Sequence, residues 1–362
     1  MRYLTFVIRL LVLAVALSGP LIAVAQDATP TTPTQPAAQP SQPTTGPGGA
    51  EFAFDGIRAQ HYGPEPDGTD APTGYWLFEP IGPRSDGTPV APSPLPLVIF
   101  LHGYTGTDPE IYHAWLDHLV RRGAIVVYPD WQPWDYSQTN NAETLPDTMA
   151  AITAALAELS SGDHAHPDLE RVALFGHSFG GMLGVQYAAL AAAAGLPVPK
   201  AILLASPGCW DPPFACGPTP PLADLDTVPA TTRLLILALA DDPIVGSEPA
   251  RLWTRLSAVP LENRDFITYV GDAHGAPALT PSHDIPTTTL WNPLDAYDWY
   301  GTWKWLDALM DCSFANQNCQ VALGNTPEQR FMGMWSDGVP VAEPLVTDDP
   351  GEPMTAASPP TA

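Results

Sequence analysis

The sequence predicts an α/β protein with a mainly parallel central sheet and helices on both of its faces. Three observations lead to this. Short apolar runs of strand length alternate along the chain with longer helix-like stretches. Residues 97–101, Leu-Val-Ile-Phe-Leu, are continuously apolar, as a strand covered on both faces must be. The helical stretches carry start and stop signals: Asp108 caps a helix that has Pro109 at its first position and Gly123 at its end.

Taken in order, strands are expected at 73–79 and 96–101, then a helix at 108–122 and a strand at 124–128. An Ala/Leu-rich helix follows at 145–160, with Pro146 in its first turn. A strand at 171–175 leads into a second Ala-rich helix at 178–194. Further strands are expected at 201–205, 233–240 and 266–270, with a helix at 247–256 and a last core helix at 299–310. Sheets of this kind take ligands at the carboxyl ends of their strands, so the chemistry is sought there.

The ends of the chain read differently. Residues 1–25 have Arg2 and Arg9, an apolar run from Leu10 and the small-x-small site Ala23-Val24-Ala25, the pattern of an export signal cleaved near Ala25. A secreted protein with no membrane span after cleavage is therefore expected. Residues 26–50 are rich in Pro, Thr, Gln and Gly and read as a linker, and 347–362 as an acidic tail. Residues 51–346 are left for one catalytic domain. The formal net charge of −25 repels phosphate and excludes nucleic acid as a partner. A monomer is expected. Four cysteines in an exported chain favour disulfides, and the two close pairs are expected as Cys209–Cys216 and Cys312–Cys319. Their spacing is too long for zinc-type C-x₂₋₄-C ligation, so no metal is expected.

Gly176-His177-Ser178-Phe179-Gly180-Gly181 joins the 171–175 strand to an Ala-rich helix. This is G-x-S-x-G in the strand–turn–helix setting of a nucleophile elbow, which makes Ser178 the candidate nucleophile. His177 is expected to point away and pack. The helix start offers the Phe179 N–H to a developing oxyanion. Leu101-His102-Gly103-Tyr104, after the earlier strand, offers the Tyr104 N–H as the second donor. The acid belongs after a later strand, where Asp241-Asp242-Pro243 lies; Asp242 is preferred because the following proline holds its backbone extended. Two histidines follow the 266–270 strand. His274 is favoured as base for its short distance from the strand, with His283 as the alternative.

Gly103-Tyr104-Thr105, the elbow, Trp115-Leu116 and 123–127 together resemble bacterial cutinases and polyester hydrolases. These are members of the α/β-hydrolase superfamily, akin to platelet-activating-factor acetylhydrolase and dienelactone hydrolases. The resemblance spans roughly Phe100 to Leu309. It implies a Ser–His–Asp triad, an oxyanion loop at Gly103-Tyr104, and a base followed by H-x-x-P, which fits both His274-Gly275-Ala276-Pro277 and His283-Asp284-Ile285-Pro286. Phe179 stands where the family usually has Met. Only a short Pro-rich loop separates the 201–205 and 233–240 strands, so no large lid domain is expected and the cleft is open. Trp131, Trp134 and Trp210 are candidates to line it.

The function expected is a cofactor-independent serine hydrolase cleaving carboxylic esters, bulky or polymeric ones included. Two alternatives remain. One is an acyltransferase or serine peptidase on the same fold, and the other a non-catalytic surface-binding protein that keeps the elbow as scaffold.

Overall fold

The computed structural model describes residues 35–64, 74–82, 94–208 and 222–351. The expected export signal, the Cys209–Cys216 pair, Trp210 and the chain beyond residue 351 lie outside the described residues. Described residues from Pro36 onward belong to one folded unit.

Among the described residues the strands form one sheet in the order β1-β2-β4-β3-β5-β6-β7-β8-β9. They are β1 (Gly56–Tyr62), β2 (Tyr75–Ile81), β3 (Leu95–Leu101), β4 (Ile125–Pro129), β5 (Pro167–His177), β6 (Ala201–Ala205), β7 (Arg233–Leu239), β8 (Arg264–Tyr269) and β9 (Leu345–Thr347). Every pairing from β4 across to β8 is parallel, while β1, β2 and β9 run antiparallel to their neighbours. The helices that bear on the site are α1 (His113–Arg121), α2 (Thr144–Leu159), α3 (Phe179–Ala194), α4 (Glu248–Arg255) and α5 (Trp303–Ala315).

The period-two geometry of a strand divides the core into two layers. Leu97, Ile99 and Leu101 of β3 join one layer with Ile152 of α2, Leu183 of α3 and Leu252 of α4. Val98 and Phe100 join the other with Trp115 of α1 and Trp305 of α5. All five β3 side chains are fully buried. This is why the run is apolar without interruption, and it leaves the carboxyl ends of β3, β5 and β7 as the free edge on which loops gather.

Four features differ from the sequence-based expectation. β1 was not expected, because its residues stay half-exposed at the sheet edge and make no apolar run. β9, only three residues long, was not expected either. β5 starts at Pro167, four residues before the expected strand. Residues 36–50, expected within a linker, pack on the domain: the Ala37 carbonyl accepts from the Ala276 amide, and the Gly48 amide donates to the buried Asp307 carboxylate at 2.8 Å. The Cys312–Cys319 disulfide is present, with an S–S distance of 2.00 Å. Among the described residues, no helix is long and apolar enough to cross a membrane.

Candidate active site

Ser178 lies between the end of β5 and the first residue of α3, with φ 54° and ψ −121°. A non-glycine residue in this region costs on the order of 1–3 kcal/mol and persists only where its surroundings enforce it. Here the enforcement is packing. A Cβ on Gly180 would lie 2.2 Å from the His102 carbonyl oxygen and 2.3 Å from that of Leu101, so only glycine lets the elbow seat against the end of β3. The Ser178 amide donates to the Ala205 carbonyl at 2.9 Å, tying the elbow to β6 as well.

Asp242 follows β7 and is buried, whereas Asp241 beside it is exposed. Its Oδ1 accepts from the Ile244 amide at 2.8 Å and the Val245 amide at 3.2 Å. Its Oδ2 lies 2.8 Å from His283 Nδ1. Burial by itself would raise this carboxyl's pKa, but the His283 hydrogen bond and charge together with the two amides outweigh it and hold the pKa below the usual carboxylate value. With Nδ1–H donated to a carboxylate, Nε2 carries the lone pair that a general base needs. The His283 ring also lies against His177, the residue before Ser178, at 5.0 Å between ring centroids.

The two expected oxyanion donors are the Phe179 and Tyr104 amides. Phe179 is the first residue of α3, so its N–H has no intrahelical partner. The amides flanking Tyr104 are engaged: Gly103 donates to the Tyr112 hydroxyl at 2.9 Å and Thr105 to Gln132 Oε1 at 2.6 Å. The Tyr104 amide has no hydrogen-bond partner among the described residues.

His274, the favoured base, is not brought to Asp242. Its Nε2 lies 2.7 Å from Asp337 Oδ2, and the pair is open to solvent. The cause is a detour in the chain. After β8 it folds back on itself, closing a bridge in which the Asp272 and Leu279 amides each donate to the other's carbonyl at 2.8 Å. His274 sits on that excursion, next to Trp335 of the C-terminal segment. Only after the return does the chain deliver His283 to Asp242.

A family model described as the alpha/beta hydrolase fold matches residues 96–338. The chain belongs to the α/β-hydrolase fold family. Compared with curated proteins, it finds no match.

The cleft of this α/β-hydrolase departs in part from expectation. Trp131 does not line it. It is fully buried and stacks on His102 at 4.5 Å and on Phe179 at 5.0 Å, supporting the elbow from beneath. Trp134 is 54% exposed and, with Tyr136, offers apolar surface on the β4–α2 loop. The Tyr104 hydroxyl donates to the Tyr136 carbonyl at 3.2 Å, joining that loop to the oxyanion loop. The pocket of about 650 Å³ bounded by Trp76, His118 and Trp303 contains none of Ser178, Asp242 or His283, and the chemistry of the site outweighs its size.

Three supporting residues escaped the sequence reading. Gln132 holds the Thr105 amide, Asn292 Nδ2 donates to the Asp284 and Thr287 carbonyls beside His283, and Tyr112 bonds both Gly103 and His177. Each is an ordinary polar residue on a loop or short turn, and only the tertiary fold gives it a partner.

Proposed function

We propose that this α/β-hydrolase is a serine hydrolase that cleaves carboxylic esters through an acyl-enzyme. The observation that carries the reading is the pairing of His283 with the buried Asp242, set against the residue that precedes a strained elbow serine. Ser178 Oγ attacks the ester carbonyl while His283 Nε2 takes its proton. Asp242 fixes the tautomer and stabilises the imidazolium. The Tyr104 and Phe179 amides stabilise the oxyanion, a contribution of about 3–4 kcal/mol per donor in comparable sites. His283 then protonates the departing alcohol, and water repeats the sequence on the acyl group.

The finer reading is a cutinase-like enzyme, supported by the G-Y-T oxyanion loop and the exposed Trp134 and Tyr136. Such an enzyme accepts bulky or polymeric esters. Export of the mature protein is part of the same proposal and rests on the N-terminal sequence. The test is hydrolysis of short p-nitrophenyl esters by the purified protein and by Ser178→Ala. Loss of turnover and of fluorophosphonate labelling in the variant is the expected result. Activity equal to wild type would sink the mechanism.

A further inference from the structure

We infer that Tyr112 and His177 act as a positioning relay that couples the oxyanion loop to the base loop, so that the Tyr104 amide and the His283 ring are held in register with Ser178. The inference rests on the serine-hydrolase reading above and adds two residues to it.

The hydrogen bonds can be assigned a direction throughout. His177 Nε2 lies 2.9 Å from the His283 carbonyl oxygen. A carbonyl only accepts, so Nε2 carries the proton. Burial, reinforced by the nearby His283 charge, lowers the His177 pKa to about 3, so the ring is neutral and its Nδ1 must be an acceptor. The Tyr112 hydroxyl, 2.8 Å away, therefore donates to Nδ1. Its oxygen in turn accepts from the Gly103 amide at 2.9 Å. Donation thus runs one way, from Gly103 through Tyr112 and His177 to the backbone of His283.

The relay is buried and tightly seated. Tyr112 is 1% exposed and His177 4%. A Cβ on Gly103 would lie 2.8 Å from His177 Nδ1, so glycine at this position lets the ring close onto the oxyanion loop. One end of the relay is the residue before the Tyr104 donor, the other is the base's own backbone, and its centre is the residue before the nucleophile.

The test measures kcat and KM per active site, titrated with a fluorophosphonate probe, on a short p-nitrophenyl ester, with melting temperature alongside. The variants are Tyr112→Phe, His177→Leu, His177→Asn and His177→Gln. Asparagine places a polar atom near the Nδ1 position and glutamine near the Nε2 position, so each can restore one arm of the relay. Tyr112→Phe and His177→Leu are expected to lower kcat about 10- to 100-fold with KM within about three-fold, the size of effect that misplaced reacting groups produce. His177→Asn and His177→Gln are expected to fall between His177→Leu and wild type. A residue that served packing alone would give the reverse order, since leucine fills a buried site better than an amide. Undiminished kcat per titrated site in His177→Leu and Tyr112→Phe, or a kcat order that follows melting temperature, overturns the relay. A wild-type protein that neither turns over esters nor labels at Ser178 overturns the underlying hydrolase reading instead.

Discussion

Two histidines that follow the end of β8 are each paired with an aspartate, and distance does not separate the pairs: 2.8 Å for His283–Asp242 and 2.7 Å for His274–Asp337. Their surroundings do. The Asp242 side chain is 1% exposed and the Asp337 side chain 46%. Asp242 also receives two backbone amides on its other oxygen, which leaves its carboxylate one orientation. Asp337 receives one amide, from Val339, on an exposed turn. The partnered nitrogen differs too. His283 gives Nδ1 to Asp242, so that the proposed mechanism has Nε2, the nitrogen farther from the backbone, for proton transfer, whereas His274 spends Nε2 on Asp337. A close His–Asp contact orients a base only where the acid is held fixed and water is excluded.

The largest expected contrast between the pairs is in turnover. His283→Ala is expected to lower kcat about 10³- to 10⁶-fold, the range seen when the base of such a triad is removed. A loss under ten-fold would return the base assignment to His274. Asp242→Asn keeps the shape but lets the ring adopt the wrong tautomer, and a fall of about 10²- to 10⁴-fold in kcat with little change in KM is expected. Asp337→Asn is expected to leave both constants unchanged. Steady-state kinetics on one short ester measures all three.

Much of the fold is disclosed by local patterns in the chain. The strand–helix alternation, the elbow at Ser178, the proposed acid Asp242 and the disulfide at Cys312–Cys319 are local patterns: an apolar run, a glycine-flanked serine, a residue before proline, two near cysteines. The proposed base was not local. Both histidines head an H-x-x-P run after the same strand, and the preference for His274 assumed that chain distance from β8 measures distance from the site. The fold-back closed by Asp272 and Leu279 breaks that assumption. So does the C-terminal segment, whose Trp335 donates to Asp272 Oδ2 at 2.9 Å and holds the excursion away from Asp242. Segments that pair far apart in sequence, such as residues 36–50 against α5 and β9 against β8, carry no apolar rhythm of their own and were misread for the same reason.

Both pairs should weaken in acid, but they should differ in how salt affects them. The Asp242 carboxyl sits below its ordinary value of 3.8 in the fold. A depressed carboxyl contributes stability that is present above its unfolded pKa and is lost as pH falls through the native one. The gap in melting temperature between wild type and Asp242→Asn is therefore expected to be widest near pH 6 and to shrink below about pH 4. The Asp337 carboxyl is also lowered, chiefly by its His274 hydrogen bond, but it lies in solvent where added salt screens it. Its contribution is expected to fade in high salt, whereas that of Asp242 persists. Melting curves at two pH values and two salt concentrations separate the pairs, and equal salt sensitivity would remove the distinction drawn from burial.

The smallest expected effect is that of His274→Ala. The side chain is 37% exposed, and exposed ion pairs contribute little because water and salt already satisfy both partners. Activity is expected to stay within about two-fold of wild type and the melting temperature within about 2 °C, the small shift expected of an exposed pair in a domain of this size. A result outside those limits carries information in either direction. A fall in kcat with an unchanged melting temperature would mean that the excursion bearing His274 reaches the substrate. A fall in melting temperature with unchanged kcat would mean that the His274–Asp337 contact pins the C-terminal segment to the body, a structural role that its exposure argues against.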